Sequence, residues 1–183
     1  MKRVIIFVAD GFEELEAISV IDILRRANIK VDICSVTGKN ILVGAHNISV
    51  ASDVTKDVVR CDDYDACVLP GGMPGAKTLS NDEFVRSFFV EMNRQGKLCC
   101  AICAAPMALY KYGLLKGKKC VSYPGFLENY SDVILMDGPV QVDGNIITAT
   151  GPAAAAEFAF CILETMGLSD AVSELRKGML FEK

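Results

Sequence analysis

Tryptophan is absent from this 183-residue chain, and histidine occurs once, at position 46. With a single imidazole, a zinc site is not expected, and no other metal or cofactor is implied by the residues. No apolar run approaches the ~20 residues that span a bilayer, so a membrane partner is not expected either. Basic residues are in deficit: 19 Lys and Arg against 23 Asp and Glu leave a net charge of -4. The longest basic cluster, "KGKK" from Lys116 to Lys119, reads as a solvated turn, and no direct nucleic-acid-binding surface is expected. No linker, repeat or low-complexity segment interrupts the chain, which reads as one domain over 1–183.

What is present is a core. Hydrophobic residues make up 51% and charged ones 23%, which excludes a disordered chain. The start, "MKRVIIFVADGFEE", reads as a first strand, because Asp10, Glu13, Glu14 and Glu16 follow the apolar run where a signal peptide would need small residues. The eight cysteines (34, 61, 67, 99, 100, 103, 120 and 161) are therefore expected as thiols in a reducing compartment, the cytoplasm, several of them as small core residues.

Short apolar runs alternate with amphipathic stretches. Residues 3–9, 30–36, 66–70 and 97–102 read as strands, and 13–28 and 82–95 as helices, the second capped by Asn81. This order predicts an α/β fold, a mostly parallel sheet with helices on both faces. Residues 41–50 and 140–149 read as added β-hairpins, the second around an Asp-Gly turn. A helix beginning near Pro152 and stopped by Gly167, then a short one over 169–177, complete the chain.

In such a sheet, functional groups gather beyond the carboxyl ends of the strands. "CAICAAP" places Cys103 there, at the turn between a strand and a helix. Ala104 and Ala105 are small enough for the turn, and Pro106 suits a first helical turn. This is the pattern of a nucleophile elbow built with cysteine, and free N–H groups at a helix start are expected to lower the thiol pKa. Cys100 and Cys103 also form C-x-x-C, but Cys100 falls inside the strand, which weakens a thioredoxin-like reading. No histidine lies downstream of Cys103 to complete a Cys-His-Asp/Glu triad. On a helical wheel, Glu16 falls with Val20, Ile23 and Ala27 on the face turned to the core, and Glu13 shares that side; Glu14 falls with Asp22 and Arg25 on the polar side. A buried Glu16 has a raised pKa and could exchange a proton with Cys103. "LPGGMPGA" (69–76) ends a strand at the same edge, where Gly71 and Gly72 let backbone N–H groups converge on an oxyanion. Leu15 and Ile18 lie on the otherwise polar side of the first helix, an apolar pair that a second copy could cover.

Together, "ADGFEELEA", "VLPGGMPGA", "CAICAAP" and "TGPAAAAEFA" resemble the ThiJ/PfpI superfamily, in the branch that includes the parkinsonism-associated protein deglycase and its bacterial relatives. The resemblance runs over almost the whole chain. It implies a flavodoxin-like three-layer sandwich and a homodimer through the first helix. It also implies an oxidisable Cys103 as nucleophile with Glu16 as proton partner, and Gly72 and Ala104 N–H groups as oxyanion donors. Tyr123 stands where some members have a histidine, and His46 where the family has an arginine thought to reach the partner's site. The implied activity is a cofactor-independent glyoxalase III-like or deglycase reaction on reactive dicarbonyls or their early glycation adducts. A redox sensor or redox-regulated chaperone would use the same Cys103 and Glu16, and a peptidase lacks its partner histidine.

Overall fold

In the computed structural model, residues 2–182 are described. Strand β1 (Arg3–Val8) lies inside a seven-stranded sheet with β2 (Lys30–Ser35), β5 (Val54–Thr55), β6 (Ala66–Leu69), β7 (Leu98–Ile102), β10 (Val140–Asp143) and β11 (Ile146–Ala149). The strand order is β10-β11-β7-β6-β1-β2-β5. Every pairing is parallel except β10 with β11. Alternation along β1 divides the core. Val4, Ile6 and Val8 face one layer, where α1 (Glu14–Arg26) contributes Val20 and Leu24 and α5 (Ala155–Thr165) contributes Phe158 and Ile162. Ile5 and Phe7 face the other, against Leu79 of α2 (Gly75–Asn81), Phe88 and Phe89 of α3 (Glu83–Arg94) and Leu109 of α4 (Pro106–Lys111). Strands covered on both faces are expected to be continuously apolar, and β6, "ACVL", is fully buried. The expected flavodoxin-like sandwich is the fold observed.

Several boundaries differ from those the sequence suggests. Asn81 is the last residue of α2, and Asp82 caps α3 by accepting from Val85 N at 3.1 Å. A carboxylate one residue on outcompetes the asparagine as cap, and α2 is hidden in the glycine-rich stretch. Pro152 opens a single 3-10 turn, and the helix proper starts at Ala155. The hairpin over 140–149 is not an appendage, because β11 pairs with β7 along its whole length and extends the main sheet. The earlier hairpin, β3 (Ile41–Val43) with β4 (Ser49–Ala51), does form its own two-stranded sheet. A second small pair, β8 (Lys119–Cys120) with β9 (Ile134–Leu135), is parallel and too short to read from sequence. Helix α6 (Ser169–Gly178) packs beside α5, with Arg176 bonded to both Glu157 oxygens at 2.8 and 2.5 Å. Among the described residues, no helix is long and apolar enough to cross a membrane.

Candidate active site

Between the end of β7 and the start of α4 the chain turns through Cys103, Ala104 and Ala105. Cys103 makes the turn in the left-handed region, at φ 65°, which costs an L-residue with a Cβ roughly 1–2 kcal/mol. The strain is held by both of its backbone groups. Cys103 N donates to Ala149 O at 2.9 Å, and Tyr123 N donates to Cys103 O at 2.8 Å. Ala104 and Ala105 are buried. The thiol is left partly exposed, while Cys99 and Cys100 behind it in β7 are fully buried. All eight cysteines are free thiols.

Two backbone N–H groups, from Gly72 and Ala104, face the Cys103 sulfur closely enough to favour its thiolate. They are the two groups expected to face an oxyanion. Gly71 is used differently, because its N–H donates to Glu16 Oε2 at 2.7 Å, so it holds the acid and is not a free oxyanion donor. A Cβ on Gly71 would lie 2.6 Å from both Cys103 Cβ and Glu16 Oε2. The loop can pass between them only without a side chain. Gly72, at φ +85°, has the same constraint from the other side, where a Cβ would lie 2.3 Å from Glu13 N.

Glu16 projects from α1 into the core, as its helical position predicts, and is 0% exposed. Its carboxyl lies beside the Cys103 thiol, and its buried Oε1 has no hydrogen-bond partner among the described residues. Burial raises its pKa to about 7, against the lowering effects of the Cys103 and Gly71 contacts. The thiol behaves differently from the sequence expectation. Burial first, then the charge and hydrogen bond of ionised Glu16, push Cys103 up to about 12, and the two N–H donors offset only part of this. The elbow therefore does not make an isolated thiolate. Cys103 and Glu16 titrate as a pair that loses its first proton near neutrality. In the singly protonated pair, transfer of the remaining proton from sulfur to carboxylate gives the thiolate, with two N–H groups facing it.

Tyr123 sits beside the elbow through its backbone bond to Cys103. Its half-exposed ring packs against Gly151 and meets Phe126 edge-on at 6.3 Å. His46 is held in its own chain by Glu14: Nδ1 lies 2.8 Å from Glu14 Oε2, and His46 N donates to Glu14 Oε1 at 2.7 Å. Glu14 thus corrects the helical-wheel reading. It is 4% exposed because the β3–β4 hairpin folds over the start of α1. The signal was Gly44, where a Cβ would lie 2.2 Å from Glu14 Oε1. Among the described residues, Glu13, Glu14 and His46 are the one group whose ligand atoms converge as a cation would need. The Glu14 carboxylate in it is already taken by backbone N–H groups.

An open, mostly parallel sheet with a cysteine at positive φ at a strand-to-helix turn, a buried glutamate and a glycine loop is an α/β fold with the geometry of a nucleophile elbow. The chain belongs to the DJ-1/PfpI family, whose model matches residues 2–165. It is 37% identical to "Protein dj-1beta" of Drosophila melanogaster over 183 residues, 98% of this chain and 97% of the relative. It is 34% identical to "Deglycase PH1704" of Pyrococcus horikoshii, over 82% of this chain and 91% of that one. Among solved structures it superposes on oxidised Toxoplasma gondii DJ-1 with a TM-score of 0.94, at 34% identity and 98% coverage of both chains.

Proposed function

We infer that the protein converts small reactive 1,2-dicarbonyls, or their early adducts with amines and thiols, to hydroxy acids without a cofactor. The observation that carries this reading is the Cys103–Glu16 pair, with Gly72 and Ala104 N–H groups facing the sulfur. Cys103 Sγ attacks the aldehyde carbon, and the pair's proton passes through Glu16 to the carbonyl oxygen, giving a hemithioacetal. The Glu16 carboxylate then removes the hydrogen from that carbon as a proton and returns it to the adjacent one, while the hydroxyl proton of the first carbon passes to the oxygen of the second. This leaves a thioester that water cleaves, releasing the hydroxy acid and restoring the pair. Gly72 and Ala104 N–H groups stabilise the negative oxygen of the addition steps. Curated relatives named as deglycases support the class. The work is proposed to take place in the reducing cytoplasm, by one domain over 1–183 assembled as a homodimer through α1.

The test is lactate formation from methylglyoxal by the reduced protein. Wild type is expected to turn over, and Cys103→Ser and Glu16→Gln to lose at least about a hundredfold in kcat/KM while remaining folded. An inert wild type would remove the reading. A second use of the same residues has support in the geometry: after peroxide oxidation, sulfinate oxygens could accept from Gly72 and Ala104 N–H and from protonated Glu16, the arrangement a redox sensor or redox-regulated chaperone needs. Turnover by the reduced protein alone separates the two.

A further inference from the structure

Four carboxylates stand between the end of β1 and the first turn of α1, and three of them are engaged. Lys39 Nζ donates to Asp10. Glu14 accepts from His46 and from Ile48 N. Glu16 faces Gly71 N–H and Cys103. Glu13 is different. Its Oε1 takes only a long bond from Leu15 N at 3.4 Å, and its Oε2 lies 3.5 Å from a His46 Nδ1 that Glu14 holds more closely.

The position of Glu13 matters for the sulfur. Its N–H donates to Gly71 O at 3.0 Å, and its backbone packs against Gly72 so closely that no Cβ fits there. Its side chain is largely covered, at 14% exposure, and its charge acts on Glu16. One imidazole serves two carboxylates, so the Glu13, Glu14 and His46 group keeps a net negative charge even with His46 protonated. The ionised Cys103–Glu16 pair adds a second negative charge in a half-buried place, where screening is weak.

We propose that Glu13 sets the charge preference of the Cys103 site. It disfavours electrophiles that carry a carboxylate or phosphate beside the reacting carbon, and leaves the site to uncharged dicarbonyls and to adducts on cationic amines and guanidines. The proposal rests on the carbonyl reading for its substrate class. The field of Glu13, however, acts on any electrophile that approaches the sulfur, so it can be tested apart from turnover.

The experiment compares iodoacetamide with iodoacetate on the reduced protein. The rate at Cys103 is followed by peptide mass spectrometry, and each rate is normalised to that of a small free thiol. Wild type is expected to favour the neutral reagent by about tenfold, a bias that shrinks with added salt. In Glu13→Gln, which keeps an oxygen for Leu15 N, the bias falls to within about threefold, and Glu13→Asp restores it. An unbiased wild type, or an equal bias in wild type and Glu13→Gln, overturns the proposal. In a parallel arm, kcat/KM for phenylglyoxal over 4-carboxyphenylglyoxal should show the same preference, carried by KM. An alkylation bias lost in Glu13→Gln with no turnover of either dicarbonyl removes the carbonyl reading and keeps the role of Glu13. Turnover of both without bias does the reverse.

Discussion

A carboxyl group with no exposure, held by one backbone N–H and a thiol, is an expensive residue to keep ionised. Moving Glu16 from the ordinary 4.5 to about 7 corresponds to about 3 kcal/mol once the proton has left. The sign follows from the direction. A raised carboxyl pKa gives stability that is fully present below about 4.5 and is lost as pH rises through about 7. Glu16→Gln keeps an acceptor for Gly71 N–H and removes the charge, so its stability relative to wild type should rise by up to about 3 kcal/mol between pH 4.5 and pH 8. Denaturant melts at the two pH values check this, and a constant difference would contradict it. Glu16 thus lowers the stability of the fold at neutral pH, and Cys103 adds the strain of a positive φ.

At the scale of elements, the sequence is legible wherever one periodicity decides. The continuous apolar runs of β1 and β6 identify buried parallel strands, and the position of Glu16 among Val20 and Ile23 identifies a carboxylate turned inward. Helix α2 is unreadable because Gly75 and Pro74 are turn residues by propensity, and only the packing of Leu79 against the sheet makes that stretch helical. Glu14 is misplaced for a related reason. A helical wheel knows nothing of a hairpin thirty residues away that folds over the helix start and offers three donors to one carboxylate. Of the candidate site, the sequence pattern points to Cys103, Glu16 and the glycines, which the fold brings together. The division of labour between Gly71 and Gly72, and the direction of the thiol pKa, depend on distances that no spacing encodes.

For the whole molecule, Leu15 is 61% and Ile18 39% exposed on the outer side of α1, and Ile41, Val43 and Ile48 are exposed on the hairpin tied to that helix through Glu14. Such a patch is costly to leave in water. A second copy is proposed to cover it. The double substitution Leu15→Glu with Ile18→Glu should convert a dimer to a monomer in sedimentation at micromolar concentration, and an unchanged sedimentation coefficient would place the assembly elsewhere. The hairpin, the segment 11–14 and the glycine loop are joined by short backbone bonds: Gly11 N to Val43 O at 2.8 Å, Ala45 N to Phe12 O at 2.8 Å and Glu13 N to Gly71 O at 3.0 Å. The proposed interface thus lies one layer from the sulfur.

That Cys103 and Glu16 share one proton, and that this sharing makes the sulfur reactive, is tested most directly by the pH dependence of Cys103 alkylation by iodoacetamide, in wild type and in Glu16→Gln. In the singly protonated pair a pH-independent fraction is thiolate, so the wild-type rate should rise through an inflection at about 7 and then level. That inflection should be absent from Glu16→Gln, whose thiol must ionise alone. The same profile in both proteins, following an ordinary thiol titration, would contradict the shared proton.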